Sequence, residues 1–330
     1  AAATSSAGTP AAFALRTNRL RRHHHTASLR MASPMAIHRC IVDLNPQQVQ
    51  AVLNSHANLV SVLQGPPGTG KTTTLAHLVA SHLDCLQGGA FIVVCAHTHA
   101  AVDVAFRRCR DVFKRLDLQV NISRLGDPMC CFRHDTSLRR AHCASTGLHV
   151  HGFRHLGRRK RAHLDAVRQL VGTKFQVVFR TNSYVTHLYD PAAQNYGPAA
   201  HVVSDESSQA TRWSTLGAAA AVRLAGRLVL IGDQDQLGPV YKSDTSNDAA
   251  ARTLMDELFA RLPAEAKVTL SVQYRSHPAV MRYATGYIYR DLVWPGMRQP
   301  HHPWGHRLAA AGGLPARRRR GARRTSRQRW

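Results

Sequence analysis

Six short runs of apolar, largely β-branched residues recur between positions 59 and 272: LVSVL (59–63), FIVVC (91–95), QVVF (176–179), HVVS (201–204), RLVLI (227–231) and VTLSV (268–272). Each run is nearly continuous, the pattern of a strand covered on both faces. Between them, segments 46–57, 72–83, 99–116, 250–261 and 277–289 are spaced as helices. Pro46 opens the first of these, in a turn where its missing N–H costs nothing. Alternation of β and α predicts an α/β fold with a mostly parallel sheet and helices on both sides. No repeat with a period of roughly 20–50 residues is visible. No apolar run approaches the length of a membrane span, so no membrane partner is expected.

Composition changes this picture at three places. Most of the net charge of +25 falls in residues 1–40, 130–165 and 297–330. The remainder is nearly neutral, so whole-chain charge says little about partners. Residues 1–39 carry Ala, Ser, Thr and Arg without an acid and fit an organellar transit peptide. With Ala at position 1 and an internal Met31, a disordered or mistranslated leader is the favoured reading. Residues 130–165 lack apolar periodicity and read as an insertion. Residues 297–330 read as a disordered Arg-rich tail, and the run ARRRRGARR suits nuclear import or a polyanion. The abrupt loss of pattern after Pro295 favours a truncated or frameshifted end from about residue 296. The seven cysteines form no C-x-x-C pair, which points to reduced thiols inside a cell. The Cys/His cluster between Cys130 and His155 has no tetrahedral zinc spacing.

The chemistry concentrates in four segments. GPPGTGKTT (65–73) follows the first apolar run and satisfies G-x-x-x-x-G-K-[ST], with a strand before it and a helix after it. Gly68 and Gly70 permit a tight turn that aims N–H groups of the loop and of the helix start at phosphates. Gly65 through Thr73, including Thr69, therefore form the expected nucleotide-binding set. Lys71 is expected to bridge the β- and γ-phosphates, and the Thr72 hydroxyl to ligate Mg²⁺. In HVVSDESSQAT (201–211), a buried strand delivers Asp205 and Glu206 at its carboxyl end. Asp205 is expected to hold the Mg²⁺ water shell, and Glu206 to orient and deprotonate the attacking water. LIGDQDQLGPV (230–240) puts Gln236 where an amide can sense the γ-phosphate. VQYRSHPAV (272–280) adds Tyr274, a ring that can stack on a base, and Arg275, a guanidinium for charge on the transferred phosphoryl group.

In this order, these segments resemble the superfamily 1 helicases of the nonsense-decay type, most closely the immunoglobulin mu-binding protein 2 (DNA polymerase α-associated helicase) group. LNPQQVQAV (44–52) is similar to the family's glutamine motif, which implies that Gln48 reads adenine. VVCAHTHAAVD (93–103) is similar to its single-strand contact, implicating Thr98 and Val102. RLGDP (124–128) and VVFRTNS (177–183) also match, with Thr181 where the family touches the nucleic-acid backbone. Likeness covers about 41–129 and 171–296. Ser204 before the acidic pair, Asp235, the HTH triplet and Ser276 depart from the family pattern without removing a catalytic group.

The resemblance implies a RecA-like P-loop domain over 41–262, interrupted by the 130–165 insertion. The start of a second, incomplete RecA-like domain is implied over 263–296. It implies ATP and Mg²⁺ as cofactors and single-stranded DNA or RNA as partner. ATP hydrolysis is expected to drive 5′-to-3′ movement by a monomeric motor of the nucleus or cytoplasm, with ribonucleoprotein or replication partners. An ATP- and nucleic-acid-binding module with little unwinding is the alternative, since the resemblance implies a β-barrel before residue 41 and a further arginine-finger motif after 296, and the quoted motifs include neither.

Overall fold

The computed structural model describes residues 32–86, 90–125, 176–185, 199–241, 252–289 and 294–295. Residues 1–31, most of the leader, lie outside this set, as do the 130–165 insertion with its Cys/His cluster and the 297–330 tail.

The described chain divides into two units. One runs to Gly65 and resumes over Gly70–Leu270; the other joins Pro66–Thr69 to the chain from Ser271 onward. In the first unit the elements follow as α1 (Pro34–Ile41), α2 (Pro46–Ala57), β1 (Val60–Gln64), α3 (Lys71–Leu83), β2 (Ile92–Ala96), α4 (His99–Arg115) and β3 (Ile122–Arg124). After them come β4 (Val177–Thr181), α5 (Asn182–Val185), β5 (Ala199–Asp205), α6 (Arg212–Ala219), β6 (Val222–Gly232), α7 (Leu254–Arg261) and β7 (Lys267–Thr269). The seven strands form one sheet in the order β3-β4-β2-β5-β6-β1-β7, with parallel pairing throughout. Two apolar clusters cover it. Leu63, Ile92, Val94 and Phe179 face one layer, with Leu75, Val102 and Phe106 from α3 and α4. Val62, Val93, Val178 and Leu230 face the other, with Met255 from α7. This is the α/β class that the apolar runs predict, and burial on both faces explains why those runs are continuous.

Three expectations need correction. The leader does not extend to residue 40, because Ser33 caps α1 by accepting from the Ala36 N–H and Pro34 starts the helix. Ala32 and Cys40 are buried, so this segment packs on the domain. The run VTLSV is not one strand. Lys267–Thr269 pairs with β1, and the Leu270 N–H continues that ladder by donating to Gln64 O at 2.8 Å. The division of the chain therefore falls after Leu270 rather than at 262/263. Finally, β3 carries no apolar run that would have predicted it; at three residues it is held by pairing with β4.

In the second unit, β8 (Val272–Gln273) pairs in parallel with β9 (Trp294–Pro295). The helix expected over 277–289 is broken: α8 (Pro278–Tyr283), capped by His277, passes into a π turn over Ala284–Ile288. None of the helices is long and apolar enough to cross a membrane among the described residues.

Candidate functional site

Parallel pairing decides what meets at the sheet's carboxyl edge. Gln64 of β1 is in register with Gly232 of β6, and Ser204 of β5 with Leu230. The loops after β1, β5 and β6 therefore emerge side by side, the usual ligand position of an open parallel sheet.

After β1 the chain turns through Gly68 (φ 81°) and Gly70 (φ 88°), both in the left-handed region that favours glycine. No side chain caps α3, and the first N–H groups of a helix have no acceptor within it. This is an anion-binding end. Lys71 is buried and donates from Nζ to Gly65 O at 2.6 Å. Thr73 accepts from Nε and Nη2 of Arg108 on α4, at 3.0 and 2.6 Å. Gln48 sits against the loop: a Cβ on Gly70 would lie 2.6 Å from its Nε2. Its Oε1 accepts from the Asn45 N–H, closing a capping box at the start of α2.

From the other side β5 brings Asp205, 3% exposed. Its carboxyl accepts from the Glu206 N–H at 3.0 Å and lies close enough to Lys71 and Thr72 for both to favour its charged form. Burial, and next the charge of Glu206, push the Asp205 carboxyl up to about 7; the Glu206 N–H, Lys71 and Thr72 act in the opposite direction. Glu206 adopts a left-handed conformation (φ 49°), rare for a residue with a side chain. That costs roughly 1–3 kcal/mol, a strain that persists where the surrounding structure imposes it. Lys71, Thr72, Asp205 and Glu206 are thus brought together.

Gln236 joins them indirectly. Gln209 Nε2 reaches Glu206 Oε2 at 3.5 Å and Gln236 Oε1 at 3.3 Å, while Gln236 Nε2 donates to Asp233 Oδ2 at 2.8 Å. Asp233 also accepts from Gln64 Nε2 at 3.0 Å. Gln209, Asp233 and Gln64 escaped the sequence reading. Asp233 and Gln209 lie inside the quoted segments 230–240 and 201–211, whereas nothing local marks Gln64. Tyr274 and Arg275 belong to the second unit. There the Tyr274 N–H donates to Gly68 O at 2.8 Å, and a Cβ on Gly68 would lie 2.7 Å from that of Arg275.

Among the residues expected to touch nucleic acid, only Thr98 is exposed; its hydroxyl caps α4 by accepting from the Ala101 N–H at 3.1 Å. Val102 is 0% exposed and Thr181 5% exposed, so neither side chain presents a contact. Val102 lies one helical turn past Thr98 on the core face, and Thr181 ends a strand buried on both sides. A feature missed in the sequence holds this region. Arg124, fully buried on β3, donates to Asp103 Oδ1 at 2.8 Å, contacts His99 Nδ1 at 2.9 Å and donates to Leu125 O at 2.6 Å. It locks the first turn of α4 to the sheet.

Residues 43–151 and 150–244 match the AAA domain family (AAA_11). The chain belongs to that family. It is 28% identical over 278 residues to the Regulator of nonsense transcripts 1 homolog of Arabidopsis thaliana, covering 77% of this chain and 21% of the relative. It is 28% identical over 276 residues to the ATP-dependent helicase NAM7 of Saccharomyces cerevisiae, covering 77% of this chain and 26% of that one. Such relatives put the likeness among superfamily 1 helicases of the nonsense-decay type. The chain spans about a quarter or less of the length of these two relatives. A solved arterivirus helicase, nonstructural protein 10 in complex with DNA, aligns at TM-score 0.40 and 18% identity over 76% of this chain and 44% of its own.

Proposed function

We propose that this domain binds and hydrolyses ATP as the motor core of a helicase or translocase acting on single-stranded DNA or RNA. The observation that carries the reading is the buried Asp205 carboxyl, facing Thr72 and Lys71 at an uncapped helix start. A buried carboxyl pushed up to about 7 is short of positive charge, and with the Thr72 hydroxyl it offers hard oxygen donors that suit Mg²⁺. Thr72 and Asp205 would hold that ion, which would supply positive charge to neutralise the phosphates.

The chain's own groups supply the rest. Lys71 exchanges the Gly65 carbonyl for a phosphate oxygen. The N–H groups of Gly68 through Thr73 hold phosphates, and Gln48 borders the loop where a base would be read. Glu206 takes a proton from the attacking water, and Gln209 and Gln236 fix its orientation. The resemblance of its motif to the family implies that Arg275 serves the charge of the transferred phosphoryl group. Movement 5′ to 3′, action as a monomer, kinship with the mu-binding protein 2 group and a nuclear or cytoplasmic setting belong to the same proposal; the resemblance of motifs 44–52 and 272–280 supports the kinship and, through it, the polarity.

ATP turnover by the chain, with and without single-stranded DNA and RNA, tests the reading. Stimulated turnover that Lys71→Ala reduces at least 100-fold is expected. Turnover insensitive to both nucleic acids, or equal in Lys71→Ala, sinks it. Stimulated turnover without strand separation selects the binding-module alternative.

A further inference from the structure

At the opposite, amino-terminal edge of the sheet lies a second cluster that the nucleotide site does not use. His56 from the last turn of α2, His82 from the last turn of α3 and Cys85 just beyond it are all buried. One ring nitrogen from each histidine and the Cys85 sulfur lie within 4.8 Å of one another. His201, near the start of β5, packs against His82 with ring centroids 4.5 Å apart.

The hydrogen bonds assign the tautomers. Ser55 gives its hydroxyl proton to Val52 O at 2.6 Å, so its contact with His82 Nε2 at 3.0 Å is donated by the ring. Ser81 likewise donates to Leu78 O at 2.8 Å, so His56 Nε2 donates to Ser81 at 2.9 Å. Both imidazoles are thereby protonated at Nε2 and keep a lone pair on Nδ1. A ring held through one nitrogen by a hydrogen bond, with the other open, is how metal-bound histidines are oriented. His82 Nδ1 is fully buried and has no hydrogen-bond partner among the described residues; the same holds for both nitrogens of His201.

We propose that His56, His82 and Cys85 form a structural zinc site that clamps α2 and α3 at the base of the sheet. Two imidazoles and a thiolate are the borderline-soft donors that Zn²⁺ selects, and His201 or a water completes four ligands. Binding replaces the thiol proton of Cys85, which passes to solvent. Arg227 faces the cluster, donating to His56 O at 2.7 Å, and Asp84 and Arg223 lie near its rim. The positive charge of Arg227 opposes a second cation, so the anionic sulfur is essential. The clamp would reach the nucleotide site mechanically, because α3 carries Lys71 and Thr72 at its other end and β5 carries Asp205.

The test uses the 330-residue chain with Cys130, Cys131 and Cys143 replaced by serine, leaving the four described cysteines. Loaded with Co²⁺, it is expected to bind one equivalent with tetrahedral visible bands and a near-ultraviolet thiolate-to-cobalt band, both abolished by excess Zn²⁺. Cys85→Ser should remove the thiolate band, and His56→Gln should weaken it, with far-ultraviolet circular dichroism confirming that each remains folded. Absence of a thiolate band in the parent chain overturns the proposal whatever the variants do. So does its full survival in a folded Cys85→Ser or His56→Gln chain.

Discussion

Replacing Asp205 by asparagine should make the nucleotide-free chain more stable while abolishing turnover. The carboxyl is buried, and its value is raised from 3.8 to about 7, first by desolvation and second by the charge of Glu206. A raised carboxyl means that the folded state holds a proton which the unfolded chain has released. Stability contributed here is greatest below about pH 4 and falls as pH rises towards 7, the sign required when the native state binds more protons. About three units at roughly 1.4 kcal/mol each give a ceiling of about 4 kcal/mol. Asparagine keeps an oxygen for the Glu206 N–H and removes the charge.

Urea unfolding of both chains between pH 4 and 8 measures the effect. The variant-minus-parent difference should grow from near zero at pH 4 to a plateau of roughly 2–4 kcal/mol above pH 7. His56, held down to about 4 by burial and Arg227, and His201, held down to about 3, run the other way. Their contribution rises with pH up to about 6.5 and is common to both chains, so the difference cancels it. A difference curve flat with pH, or one favouring the aspartate at pH 8, refutes the claim that burial leaves the Asp205 carboxylate short of countercharge.

Two further substitutions probe the frame of the site. Gly70→Ala places a methyl group at φ 88° and 2.6 Å from Gln48 Nε2; it should cost roughly 1–2 kcal/mol and weaken nucleotide binding at least tenfold by titration calorimetry. Unchanged affinity would show that Gln48 does not border the bound base. Arg124→Met removes the 2.8 Å ion pair to Asp103, itself 5% exposed, and should destabilise by roughly 3–5 kcal/mol in urea unfolding. Adding Asp103→Leu should recover most of that loss. A cost under about 1 kcal/mol for the single change would mean that the pair does not lock α4.

Where chemistry is carried by consecutive backbone, it was legible before any coordinates. The loop from Gly65 to Thr73 needs two glycines at fixed offsets between a strand and a helix, and all of that is local. The continuous apolar runs likewise reported a sheet covered on both faces, because most residues buried from both sides are apolar and the polar exceptions need a partner. Local reading failed where a side chain's direction decides its role. Thr98 and Val102 are one helical turn apart, yet Thr98 is exposed as the cap while Val102 points into the core. VTLSV looks like one strand, but its two halves pair with different partners.

Strand order carries the remainder. Nothing in the chain states that β6 lies between β1 and β5, and only that order sets the Lys71 loop beside Asp205 and links Gln209 to Gln236. The Arg124–Asp103 pair and the His56–His82–Cys85 cluster are contacts between elements 21 to 29 residues apart, with no spacing rule to announce them. A turn is written in neighbouring residues because its dihedrals are local. A pairing across the sheet is chosen by the total burial of every layer at once, and so it appears only when the whole domain has closed.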